Sequence, residues 1–116
     1  MYDKDLVSRT NAQLTGLFDI EETRMFGGVA YMLNGNMCLA VWAHYLVLRL
    51  GHDGAAQLAS QDPYATPFDL TGKPLRGWVK VAPDGFTEDA QLHRYIDMAV
   101  LFTGSLPSKT AKSRPA

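Results

Sequence analysis

The sequence predicts an α+β fold: an antiparallel β-meander sheet of about four to five strands, with N-terminal and C-terminal helices packed on it. Three observations predict it. Residues 28–50 read as three short apolar runs divided by turns, and Asn34-Gly35-Asn36 is the strongest turn because Asn and Gly accept positive φ. Leu92, Tyr95, Ile96, Ala99, Phe102 and Leu106 recur at helical spacing, the clearest periodicity in the chain. With 116 residues, 47% apolar and 20% charged, the chain suits one domain with a single core.

The elements follow in order. Asp3 or Asp5 caps a first helix running to about Leu17, with a patchy stripe of Leu6, Val7, Leu14, Leu17 and Phe18. The acidic stretch Asp19 to Thr23 reads as a connection to the sheet. Gly28 to Leu33 is a strand with Val29, Tyr31 and Leu33 on one face and Ala30 and Met32 on the other. Met37 to Trp42 returns, with Cys38, Ala40 and Trp42 sharing a face. Tyr45 to Leu50 follows, with Leu46, Leu48 and Leu50 alternating against Val47 and Arg49. The first two of these strands are apolar on both faces, whereas a sheet with one wet face alternates apolar with polar. Something must therefore cover each face: helices on one, and a loop, a ligand or a second subunit on the other.

Asp53 is placed to cap a short helix from Gly54 to about Ser60, ended by Pro63. Residues 62–76, with Pro63, Pro67, Pro74 and Gly72, read as a long ordered loop in which Phe68 and Leu70 are tucked in, at most as a short edge strand. Trp78 to Ala82 is a strand with Trp78 and Lys80 opposite Val79 and Val81. Pro83-Asp84-Gly85 is a turn. Thr87 caps the last helix, with Glu88 and Asp89 in its first turn, where the helix dipole favours acids. The domain spans residues 1–107, and residues 108–116 read as a disordered basic tail.

Charge and cysteine content restrict the function classes. Lys109, Lys112 and Arg114 lie in the last eight residues, which leaves eight bases against twelve acids before them, a net charge near −4. A body of that sign repels a phosphate backbone, so direct DNA binding is disfavoured. One cysteine, Cys38, excludes an internal disulfide and fits a reducing compartment. The N-terminal residues lack the apolar region of a secretory signal, and no apolar run reaches the roughly 20 residues of a membrane helix. A cytoplasmic location with no membrane partner is the expectation.

The sequence matches none of the common catalytic patterns. Gly72-Lys73 lacks the flanking residues of a phosphate loop, since Pro67 and Pro74 stand where a Gly and a Ser or Thr are needed. Gly27-Gly28 is not a dinucleotide fingerprint. His44, His52 and His93 are not at metal-ligand spacing with one another or with Cys38. No serine sits in a nucleophile elbow. The expectation is a non-enzymatic protein with no metal and no cofactor.

Two phrases remain: Arg24-Met25-Phe26-Gly27-Gly28, and Asp69-Leu70-Thr71-Gly72-Lys73-Pro74-Leu75-Arg76-Gly77-Trp78. Gly27-Gly28 permits a bulge or a close backbone approach at the strand start. Arginine's planar fork suits carboxylates, phosphates and aromatic faces. Two readings are open. Arg24 and Arg76 clamp buried carbonyls or Asp69 while Phe26 and Trp78 fill core. Alternatively Arg24, Phe26, Gly27, Gly28, Arg76 and Trp78 line a site for a partner or an anionic small molecule.

At these residues the chain resembles the N-terminal domain of the TfoX/Sxy family. The resemblance runs through Arg24 to Gly28, the hairpin Tyr31 to Met37, Leu46 to Leu50, Phe68 to Pro74 and Gly77-Trp78-Val79, and it ends near Ser105-Leu106-Pro107. It covers roughly residues 3–107. It implies a small α+β domain with an antiparallel sheet and flanking helices. The family's named members are bacterial regulators of natural competence, associated with transcription dependent on the cyclic-AMP receptor protein, and they carry a second, C-terminal domain that this sequence does not include. The resemblance implies no catalytic residues. It implies a regulatory or protein-interaction module with a protein partner, the transcription machinery being the class suggested. A homodimer through the sheet or the last helix is a corollary.

Overall fold

A computed structural model describes residues 2–109 apart from 18, 26, 70 and 71. Helix α1 (Lys4–Leu14) is followed by strands β1 (Ile20–Met25), β2 (Gly28–Leu33), β3 (Asn36–Trp42) and β4 (Tyr45–Arg49). Helix α2 (Gly51–Gln61), strands β5 (Ala65–Asp69) and β6 (Pro74–Val81), a 3-10 turn (Pro83–Phe86) and helix α3 (Asp89–Gly104) complete the chain. The strands form one six-stranded sheet in the order β1-β2-β3-β4-β6-β5, each antiparallel to its neighbours. The α+β class and the flanking helices are as predicted, but six strands replace four to five.

Both additional strands are edges. The acidic stretch read as a connection is β1, paired from Ile20↔Leu33 to Met25↔Gly28. The stretch read as a loop contains β5, whose Pro67 is tolerated because an edge strand has one side free of ladder bonds. Strand order departs from a pure meander at β6, which enters between β4 and β5.

One sheet face packs on the helices. Val29, Tyr31, Leu39, Val41, Leu46, Leu48, Val79 and Val81 are buried there with Leu6, Leu92, Tyr95, Ile96 and Ala99. Cys38 joins this core, whereas Ala40 and Trp42 face the other way. The cause is a register shift between Tyr31 and Met32, which leaves Cys38 as the additional residue of β3 and ends its alternation with Ala40.

Helix boundaries follow local chemistry. Asp3 caps α1 by accepting from the amides of Asp5 and Leu6 at 3.0 and 3.1 Å. The Leu6 amide, first among the causes, holds the Asp3 carboxyl below its ordinary value. The helix ends at Leu14, short of Leu17. Helix α2 starts at Gly51, so Asp53 lies in its first turn and Leu50 is the capping position. Glu88, not Thr87, caps α3, in a reciprocal box with Gln91. Arg9 joins α1 to the start of α3, with 3.1 Å to Asp89 and 2.7 Å to the Phe86 carbonyl. Pro83–Phe86, read as a turn, is a single 3-10 turn. The first residues after the last helix are held to the β2–β3 turn: the Lys109 amide donates to the Asn34 carbonyl at 2.8 Å, and Asn36 Nδ2 donates to the Pro107 carbonyl at 3.0 Å. The rest of the basic tail, from residue 110, lies outside the described residues.

Two buried phenols add a pH dependence. Tyr95 donates to Asp62 Oδ2 at 2.5 Å and Tyr31 donates to Asn11 Oδ1 at 2.8 Å. Burial, helped by the hydrogen bond to Asp62, pushes Tyr95 up to about 12, and burial pushes Tyr31 up as well. The folded state therefore keeps these protons longer than the unfolded chain. That contribution is complete below about pH 10, the ordinary tyrosine value, and is lost as pH rises through the folded-state value. The urea midpoint is expected to fall between pH 10 and pH 12, and Tyr95→Phe is expected to flatten the fall; unfolding curves at stepped pH check it.

Candidate functional site

The second face of the sheet answers the question raised by the two-sided apolar strands. The sheet curls around it and encloses a groove of about 430 Å³. Every strand contributes: Met25 from β1, Gly28 and Ala30 from β2, Met37, Ala40 and Trp42 from β3, Val47 from β4, Phe68 from β5, and Leu75 and Trp78 from β6. The curl brings Phe68 across from β5 to Trp42 on β3, with ring centroids 5.7 Å apart in an edge-to-face contact. Tyr45 stacks on Trp42 from the side, at 6.3 Å.

The β5–β6 pair sets the groove's open wall. Register runs Pro67↔Val79 and then Asp69↔Pro74, so the β6 segment Leu75–Trp78 opposes Phe68 alone. Gly77 sits at φ +85 inside that bulge, a conformation that L side chains rarely adopt. The bulge shifts the side-chain alternation. Leu75 joins Trp78 in the groove, and Arg76 is left exposed outside it.

The residues of the two sequence phrases are thus divided. Gly28 and Trp78 line the groove. Gly27 lies beside it in the β1–β2 connection with φ 75, and Phe26 lies outside the described residues. Arg24 pairs across from Val29, so it is on the helix-side face of the sheet's edge, exposed. Arg76 is four strand positions away in the sheet order. The structure does not bring the two arginines together, and among the described residues neither lines the groove. Met25 and Leu75, members of the two phrases that were not among the expected lining residues, also line the groove, and Met37, Ala40, Trp42, Val47 and Phe68 come from outside the phrases. Their signal was present in one form: apolar residues on the face of β2 and β3 opposite Val29 and Leu39.

Two cations border the groove. Arg49 has its guanidinium carbon 5.9 Å from the Trp78 ring centroid, and its Nη1 donates to the Met37 carbonyl at 3.3 Å. Lys80 Nζ stands 4.6 Å from the Tyr45 ring centroid. Neither cation has an acidic partner among the described residues. The groove's own lining carries no ionisable side chain, so what it can do chemically is bind apolar surface next to positive charge.

Other reactive groups lie elsewhere. Cys38 is fully buried, and burial pushes its thiol up to about 11, with the Thr103 hydroxyl and the Arg49 charge pulling the other way. That shift opposes thiolate formation. His44 Nδ1 is 3.5 Å from Asp3 at the first helix, and His93 Nδ1 is 2.9 Å from Gln13. No cluster of His, Cys, Asp and Glu suited to a metal ion occurs among the described residues, and no helix among them is long and apolar enough to cross a membrane. A second, more open depression of about 550 Å³ lies between α2 and α3, beside Leu58 and Phe102.

A family model described as TfoX N-terminal domain matches residues 12–103. That range takes in all six strands, both sequence phrases and almost all of α3. Comparison with curated proteins and with solved structures gave no match.

Proposed function

Since the chain belongs to the TfoX N-terminal domain family, we propose that it is a regulator-like interaction module that works by holding a segment of a protein partner in the groove. The observation that carries this reading is the groove itself: an apolar concavity to which all six strands contribute and which contains both tryptophans of the chain. Aromatic and methionine side chains in a concave site are the usual anchors of protein recognition. Each apolar partner side chain seated there adds roughly 1.5–3 kcal/mol by leaving water.

Charge specifies the partner further. Arg49 and Lys80 lie against groove-side aromatics without acidic partners, so the fitting segment carries apolar anchors flanked by carboxylates. The resemblance to competence regulators supports a protein of the transcription machinery as the partner's class.

The test begins with capture from the native host and turns on variants. Ala40→Phe fills the groove floor, and Lys80→Glu reverses the rim charge. The captured protein, purified and titrated by tryptophan emission, is expected to bind Ala40→Phe about 30-fold more weakly or worse. Lys80→Glu is expected to weaken binding and reduce its salt dependence. Arg76→Ala, outside the groove, is expected to bind like the parent chain. Equal affinity of Ala40→Phe and the parent chain overturns the reading, and so does co-purification of a small molecule whose removal leaves the captured protein's affinity unchanged by groove variants.

A further inference from the structure

Arg24 is outside the groove, and its position points to a different surface. Strand β1 is the terminal strand of the sheet, paired only with β2. Two residues separate Met25 from its partner Gly28. The pair closing a two-residue hairpin is the narrow, hydrogen-bonded one. Met25, Thr23 and Glu21 therefore turn their main-chain groups toward β2, and Arg24, Glu22 and Ile20 turn theirs outward. Glu21, Glu22 and Arg24 are exposed, and neither Glu22 nor Arg24 has an ion-pair partner among the described residues.

An open edge is a template for another strand. Charges on an edge ordinarily discourage that pairing, but here opposite signs stand two residues apart on one face. We propose that this edge pairs antiparallel with the same edge of a second copy, Glu22 opposite Arg24 and Thr23 on the two-fold axis. The register follows from elementary rules. Outward main-chain groups meet only when even-numbered residues face even-numbered ones. Centring the pair on Glu22 sets two carboxylates face to face, and centring it on Arg24 sets two guanidinium groups together. Centring it on Glu21 repeats the carboxylate clash. Like charges directly opposite are destabilising. Centring on Thr23 alone gives opposite charges at both narrow pairs, and each narrow pair exchanges two main-chain hydrogen bonds. The contact is isologous and closed, as a two-fold dimer requires. It rests on the β1 edge alone and does not depend on what occupies the groove.

Thr23→Cys tests the axis directly. Its wide-pair geometry places the two Cα atoms about 4.5 Å apart, inside the range that a disulfide spans. Cys38 is fully buried and does not compete. Thr23→Cys is expected to oxidise to a covalent dimer, and Glu21→Cys, which faces Met25 in this register, is not. In sedimentation, Glu22→Arg is expected to weaken association at least tenfold, and Glu22→Arg with Arg24→Glu to restore it. Circular dichroism on each variant confirms the fold. A parent chain that stays monomeric at millimolar concentration overturns the proposal. So does a dimer indifferent to Glu22→Arg, or a double reversal that fails to restore one.

Discussion

Gly28→Ala is expected to lower stability by about 3 kcal/mol, at the upper end of the range for forcing atoms into a packed site. A Cβ built on Gly28 lies under 3.0 Å from the main-chain oxygen of Val41 and 3.4 Å from the Cα of Trp42. The obstacle is main chain, so no rotamer change relieves it. Gly28 is also the first residue of β2 and is paired with Met25, which holds it from the other side. The strain must therefore be spent by moving β3 away from β2. Trp42 and Ala40 travel with β3, so the same substitution alters the groove. Urea unfolding is expected to show a lower midpoint at an unchanged slope, together with a shifted native tryptophan emission. A loss below about 1 kcal/mol would mean that the β2–β3 contact relaxes freely, against the packing of Val29 and Val41 beneath it.

The close approach at Gly28 was legible in the sequence, because a glycine pair at a strand start has few other uses. The four inner strands were legible for a similar reason: buried strands declare themselves by apolar runs and turn residues. The edges were not. In β1, Ile-Glu-Glu-Thr-Arg-Met offers apolar residues only at its ends, and the strand is held mainly by main-chain bonds to β2, which leave no mark in side-chain pattern. Pro67 obscures β5, which reads from the sequence only as a loop with at most a short edge strand around Phe68 and Leu70.

Site residues were legible only as far as alternation could be followed. Trp78 was placed correctly opposite Val79. Arg76 was not, because the bulge at Gly77 shifts the alternation and puts Leu75 in the groove instead. Cys38 was assigned to the face of Ala40 for want of the register shift at Tyr31–Met32. Bulges are set by how two distant strands fit, so a local pattern does not contain them. What the sequence did contain was the need for a cover on the second face. The curl of the sheet, with Phe68 and Trp78 brought over from the late strands, supplies part of that cover and leaves the rest as the groove.

Phe68→Ala is expected to cost about 3 kcal/mol, near the lower limit for a buried aromatic truncated to alanine. Phe68 is 7% exposed and is the β5 residue opposite the bulge of β6. Its ring meets that of Trp42 edge to face, with an interplanar angle of 76°. Removing it loses apolar burial and the aromatic contact together. The cost stays at the lower limit because the space left opens into the groove and fills with water, whereas a sealed cavity would remain empty. Emission of Trp42 is expected to move to the red as its cover is lost. Phe68→Leu keeps most of the volume without the ring edge and is expected to cost about 1 kcal/mol, with little change in emission. The pair of variants separates packing from groove shape. If Phe68→Ala leaves stability within about 0.5 kcal/mol of the parent chain, the ring is not packed on Trp42 in solution. The late strands would then not close over the second face, and the groove would be a flatter surface suited to a broader partner.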